Sequence, residues 1–236
     1  KVNLEAMVDA ARAKGAKVLL AGMEAPPQMG DAYTREFRDV YRAVAKQRAD
    51  LAHRIAYMPQ GLGRNLYPDL TISEHLDYFA VLFGVSYSER VTRGAMLLQR
   101  TGLAGFEHRR ARHLSGGMKQ KLALCCSLIH SPELLILDEP TTGVDPLSRR
   151  EFFDLLHEAR AQNPNLTVVC STGYVEEASH FDEVVFIHAG RVLLQETVSN
   201  VRSHANDGTL SGAYTAILEA NGLTAGQEDR TAANNH

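Results

Sequence analysis

Apolar positions along the chain change their period several times, and each change marks an element. Residues 4–14 form an amphipathic helix ending at Gly15, and residues 17–22 read as a strand. After a Pro26-Pro27 and Gly30 loop, Tyr33, Phe37, Val40, Tyr41 and Val44 recur at helical spacing. Helix, strand and helix in so short a span make an α/β fragment that cannot bury its own faces unaided. The pattern restarts near Gln47. Residues 55–60 run from a strand into a loop, a helix follows from Ser73, and residues 76–83 and 91–98 supply two apolar helical faces with Gly102 as a stop. Leu122, Cys125, Cys126 and Ile129 then repeat at three- and four-residue spacing, and residues 134–137 are continuously apolar, as a strand covered on both faces requires. Pro146 opens a helix whose buried side is Phe152, Phe153, Leu155 and Leu156, and residues 166–170 predict a further strand. Residues 184–187 and 192–194 form a strand pair joined across Ala189-Gly190-Arg191. Residues 203–208 read as a polar linker, 210–218 as a short helix, and 225–236 as a disordered tail. The chain thus divides into an α/β fragment (1–47), an α/β body (48–202) with a helical subdomain at about 71–113, and a C-terminal linker, helix and tail (203–236).

Composition narrows the class. The 236 residues, 44% of them hydrophobic, suit about one to two α/β domains with a substantial core. A net charge of -3 leaves no basic footprint for a direct nucleic-acid site. No apolar run approaches the ~20 residues of a membrane-spanning helix, and no signal peptide is visible. The start at Lys1 suggests a truncated or processed segment. Cys125, Cys126 and Cys170 lie in apolar patterns without metal or redox spacing, and read as reduced core residues.

Residues 114–145 carry the chemistry. Ser115, Gly116 and Gly117 sit where a loop enters a helix, so unpaired backbone N–H groups and the positive helix end can face a phosphate. Asp138 and Glu139 follow the apolar strand at its carboxyl end, the edge where open α/β sheets bind ligands. There Asp138 can hold a metal ion while Glu139 polarises a water, the pairing used in nucleoside triphosphate hydrolysis. Taken singly, a Ser-Gly-Gly is usually a turn and an apolar run ending in Asp-Glu usually a strand reaching solvent. Their order and spacing, with Thr141-Thr142-Gly143-Val144-Asp145 next, make them informative together.

This block resembles the ATP-binding cassette (ABC) ATPases: Leu114 to Gln120 as the signature, Leu134 to Glu139 as the Walker B strand, and the stretch ending at Asp145 as the D-loop. Ile55-Ala56-Tyr57-Met58-Pro59-Gln60 resembles the Q-loop. The resemblance implies a P-loop NTPase-like parallel sheet with a helical signature subdomain. It implies ATP and Mg²⁺ as cofactors, with Glu139 as the catalytic residue. Gln60, Ser115, Gly116, Gly117, Gln120, Asp138 and Asp145 would bind nucleotide, and Gln60 and Asp138 the metal. Implied partners are a second cassette placed head to tail and a transmembrane subunit facing residues 61–70, with the chain on the cytoplasmic side. The family's G-x-x-x-x-G-K-[ST] loop is absent from the sequence, so the Walker A portion is lacking, and Gly173 stands where the family has a histidine after Ser171-Thr172.

Residues 57–67 and 124–130 are most similar to the first cassette of tandem-cassette, ribosome-associated or drug-efflux-type bacterial ATPases, which adds the ribosome as an implied partner. Residues 3–47 resemble a fragment of an SGNH-type esterase in 4–20 and 33–37, without the Gly-Asp-Ser nucleophile block. Asp50-Leu51-Ala52-His53 matches only that family's Asp-x-x-His spacing. The reading is an ABC-type ATPase domain with impaired hydrolysis. The alternatives are a non-hydrolysing module that lends its signature to a partner, and a chimeric chain.

Overall fold

The computed structural model describes residues 53–61, 63–188 and 191–223. The elements expected in 1–47 and the tail expected at 225–236 lie outside the described residues. The chain separates into two compact units, which divide between Cys170 and Ser171.

The first unit is built on strands β1 (Ile55–Met58), β2 (Leu134–Asp138) and β3 (Thr167–Ser171), in the order β1-β2-β3. β1 and β2 run parallel, with Ile55 opposite Leu134 and Met58 opposite Leu137. All five residues of β2 are buried, as its central place and continuous apolar run require. The register is fixed before the strands begin. Arg54 Nε donates to Glu133 Oε1 at 2.6 Å, its Nη2 reaches the other carboxylate oxygen, and the Glu133 amide donates to the Arg54 carbonyl at 2.8 Å.

Between β1 and β2 lie α1 (Ile72–Leu82), α2 (Tyr87–Thr101) and α3 (Gly116–Leu128). α1 and α2 each start in a capping box, Thr71 with Glu74 and Ser86 with Glu89, so the orphan donors of both first turns are satisfied reciprocally. α2 stops at Gly102, whose φ of 67° is the left-handed turn that glycine adopts without a Cβ penalty. Ile72, Leu76 and Ala80 of α1, Leu98 of α2, and Leu122, Leu124, Cys125 and Cys126 of α3 are buried. Burial pushes the Cys125 thiol up to about 12 and Cys126 well above its ordinary value, so neither is a reactive thiolate. α4 (Pro146–Gln162) has Pro146 at its first turn and buries Phe152, Phe153 and Leu156, whereas Leu155 is only half-buried.

In the second unit, β4 (Glu183–His188) and β5 (Arg191–Thr197) pair antiparallel, with a register irregularity between Phe186 and Ile187. α5 (Val198–Arg202) and α6 (Leu210–Ala220) follow, and the Phe186 and Tyr214 rings lie 5.1 Å apart. α5 and a short 3-10 turn, Val175–His180, were not visible as a period because each is too short to repeat one. Among the described residues no helix is long and apolar enough to cross a membrane.

Candidate functional site

The site follows from the register of two strands. Met58 pairs with Leu137, so the chain leaves both strands in step and Gln60 and Glu139 each lie two residues beyond that last pair. Their side chains meet: Gln60 Nε2 donates to Glu139 Oε2 at 2.7 Å. Tyr57 lies opposite Ile136, two residues before Asp138 on the same face of the pleat. Its hydroxyl accordingly reaches Asp138 Oδ2 at 3.4 Å, and Asp138 is only 4% exposed.

Past β2 the chain turns sharply. Glu139 has a φ of 43°, a conformation that non-glycine residues rarely hold and that clusters at functional sites. The Thr142 amide closes the turn on the Glu139 carbonyl at 3.2 Å, and the Thr142 hydroxyl donates to Glu139 Oε2 at 3.0 Å.

Ser115 is exposed and caps α3, its Oγ accepting from the Met118 amide at 3.2 Å. Gly116 and Gly117 form the first turn. A Cβ on Gly117 would lie 2.6 Å from Ser148 Oγ and 3.0 Å from Ser148 Cβ, so the glycine allows the starts of α3 and α4 to meet. Asp145 caps α4, accepting from the Ser148 amide at 3.0 Å, and that bond holds its carboxyl below the usual carboxylate range. Gln120, expected beside nucleotide, is 2% exposed and donates instead to the Pro140 carbonyl. Its place on α3 turns it toward the exit of β2, so it ties the signature helix to the Glu139 turn.

Gly173 belongs to the second unit, where the neighbouring Thr172 hydroxyl donates to Glu177 Oε2 at 2.6 Å. Sequence reasoning passed over Tyr57 and Thr142. The signals were present, because Tyr57 precedes Gln60 on a strand face shared with Asp138, and Thr142 stands three residues after Glu139 across a proline turn.

The donor set is oxygen-rich and suits a hard cation. Asp138 offers a carboxylate, and Gln60 a carbonyl oxygen on the amide whose nitrogen serves Glu139. No cluster of three or more His, Cys, Asp or Glu side chains able to hold a metal occurs among the described residues. One carboxylate beside an amide oxygen suits Mg²⁺, which takes one or two protein carboxylates and completes its shell with water and substrate phosphates.

Strand order, capped signature helix and the paired Gln and Glu at one sheet edge define the class: a P-loop NTPase of the nucleotide-binding cassette type. The chain belongs to the ABC transporter family, whose sequence model matches residues 18–142. That match begins at residue 18, within the 3–47 segment for which an esterase fragment was expected. The chain is 43% identical over 141 residues to the probable multidrug ABC transporter ATP-binding protein YbhF of Escherichia coli (strain K12), covering 60% of this chain and 24% of YbhF. It is 31% identical over 183 residues to the linearmycin resistance ATP-binding protein LnrL of Bacillus subtilis (strain 168), covering 75% of this chain and 58% of LnrL. The chain therefore spans about a quarter and somewhat over half of these two relatives. Among solved structures, an ATP-binding subunit of an ABC transporter superposes with a TM-score of 0.68 at 26% identity, over 85% of this chain and 88% of that one. The dimeric structure of MJ0796, a bacterial ABC transporter cassette, superposes at 0.63 and 19% identity over 77% and 85%, which speaks to the fold alone.

Proposed function

We propose that the chain is the ATPase part of an ABC transporter of the drug-efflux type, working at composite sites with a second cassette. The observation that carries this reading is the 2.7 Å bond between Gln60 and Glu139, because it joins the Q-loop to the Walker B carboxylate at one sheet edge. Asp138 and Gln60 would hold Mg²⁺, which when bound neutralises phosphate charge. Glu139 orients and polarises the attacking water. Ser115, Gly116 and Gly117 present the amino end of α3 to the phosphates of the nucleotide bound by the partner, and Asp145 stands at the start of α4 beside them. The names of YbhF, a probable multidrug transporter protein, and of LnrL, a linearmycin resistance protein, support efflux rather than a ribosomal role. A transmembrane subunit then receives the work, and the chain acts on the cytoplasmic side.

The sequence holds no G-x-x-x-x-G-K-[ST] loop, whereas its signature is complete. A second reading follows from that contrast, in which the chain serves mainly in trans and hydrolyses poorly by itself. The test is nucleotide titration of the chain, then steady-state hydrolysis with and without a complete cassette. Binding should be weak alone and recovered at one composite site with the partner. Ser115→Arg should abolish the gain, and Glu139→Gln should matter less to binding. Micromolar ATP affinity with Glu139-dependent turnover by the chain alone would overturn the trans reading. No gain on adding a cassette would overturn the composite site.

A further inference from the structure

We propose that Thr142 is a positioning residue for Glu139, its hydroxyl and the Gln60 amide gripping one carboxylate oxygen from two elements. The proposal rests on the hydrolytic reading above.

Glu139 Oε2 accepts from Gln60 Nε2 at 2.7 Å and from Thr142 Oγ1 at 3.0 Å. The two donors differ in how they are mounted. Gln60 comes from the loop after β1, so its grip depends on where that loop lies. Thr142 belongs to the same four-residue turn as Glu139, closed by its own amide on the Glu139 carbonyl at 3.2 Å. Its hydroxyl therefore travels with the carboxylate whatever the loop does.

The turn is itself held. Pro140 fixes one backbone angle, its carbonyl accepts from the buried Gln120 amide, and Glu139 is kept at a φ of 43°. With the backbone so constrained, the direction of the carboxylate depends on the side-chain torsions of Glu139, which the bonds to its Oε2 restrict. Threonine suits the task because its β-branch restricts rotation about χ1, so the hydroxyl is aimed before any substrate arrives. Thr142 holds the carboxylate from within its own turn, and Gln60 holds it from the loop after β1.

Valine keeps the threonine shape and removes the hydroxyl, and serine keeps the hydroxyl. The full chain is labelled with ¹³C at glutamate carboxyl carbons, and the Glu139 resonance is identified by its disappearance in Glu139→Gln. Thr142→Val is expected to move that resonance, and Thr142→Ser to leave it near the wild-type position. With a complete partner cassette whose own Walker B glutamate is replaced by glutamine, so that turnover depends on Glu139, Thr142→Val should lower kcat about tenfold at unchanged KM, a loss of positioning without loss of substrate binding. Thr142→Ser should restore most of it. In the Glu139→Gln background Thr142→Val should cost nothing further. A resonance that stays put in Thr142→Val overturns the grip. A resonance that moves with kcat unchanged overturns the positioning role. Turnover that Glu139→Gln leaves intact sinks the hydrolytic reading itself, which the resonance measurement tells apart from failure of the grip.

Discussion

At position 117 the neighbour decides the residue. An alanine there would place its Cβ 2.6 Å from Ser148 Oγ. Overpacking costs about 1–3 kcal/mol and the gain in helix propensity from Gly to Ala is about 1 kcal/mol, so crowding wins. Gly117→Ala should lower stability by up to about 2 kcal/mol in chemical denaturation. In a Ser148→Gly background the penalty should vanish, because nothing remains to be struck. His130 gives a residue-scale prediction in pH. It is 9% exposed, lies against the Phe83 ring at 3.9 Å, and burial pushes it down to about 4. An unfolded histidine titrates near 6.5, so the unfolded chain takes up the proton first as pH falls. The stability from neutral His130 is therefore complete above about pH 6.5 and is lost as pH falls toward 4, on the order of 3 kcal/mol at most. Burial lowers His75 as well and adds to the same slope. His130→Gln should flatten the denaturation-derived stability profile between pH 6.5 and 4.5, and an unchanged slope would refute the assignment.

At the scale of elements, the caps hold the helical subdomain. Ser86 Oγ accepts from the Glu89 amide while Glu89 Oε2 accepts from the Ser86 amide, both at 3.4 Å. Removing such a cap costs ~1 kcal/mol, so Ser86→Ala should reduce stability by that amount and Ser86→Asp should recover most of it. The elements themselves were legible where a period could repeat: α3 through Leu122, Cys125, Cys126 and Ile129, β2 through its apolar run, and the end of α2 through Gly102. The α5 helix and the 3-10 turns were not, because three to six residues do not show a period. Part of the site was legible too. Gln60, Asp138 and Glu139 gather at one edge because their spacing from the strands is a sequence property. The orientation of Gln120 was not, since the fifth residue of a helix, just past its first turn, reads equally well as facing ligand or core until packing selects one.

For the molecule as a whole, charge balance sets the expected activity. A triphosphate needs donors for several negative charges, and losing one preorganised donor typically costs ~3 kcal/mol, roughly a hundredfold in rate. A sequence without the phosphate loop and its lysine should therefore turn over ATP slowly alone, measurable as turnover far below that of the same chain with a complete cassette. Ester hydrolysis should be undetectable, since the sequence holds no Gly-Asp-Ser nucleophile to be activated. Ester turnover abolished by His53→Ala would contradict this.

The bond from Gln120 to the Pro140 carbonyl has a consequence for motion. In the head-to-tail pair proposed above, Glu139 would face one nucleotide and Ser115 the other, so each chain would have a hand in both sites. Because a buried amide fastens the turn of one to the helix of the other, the two hands move as a lever with a short arm. A displacement of the Glu139 turn would then be carried into the start of the helix that Ser115 caps, and a displacement of that helix back into the turn.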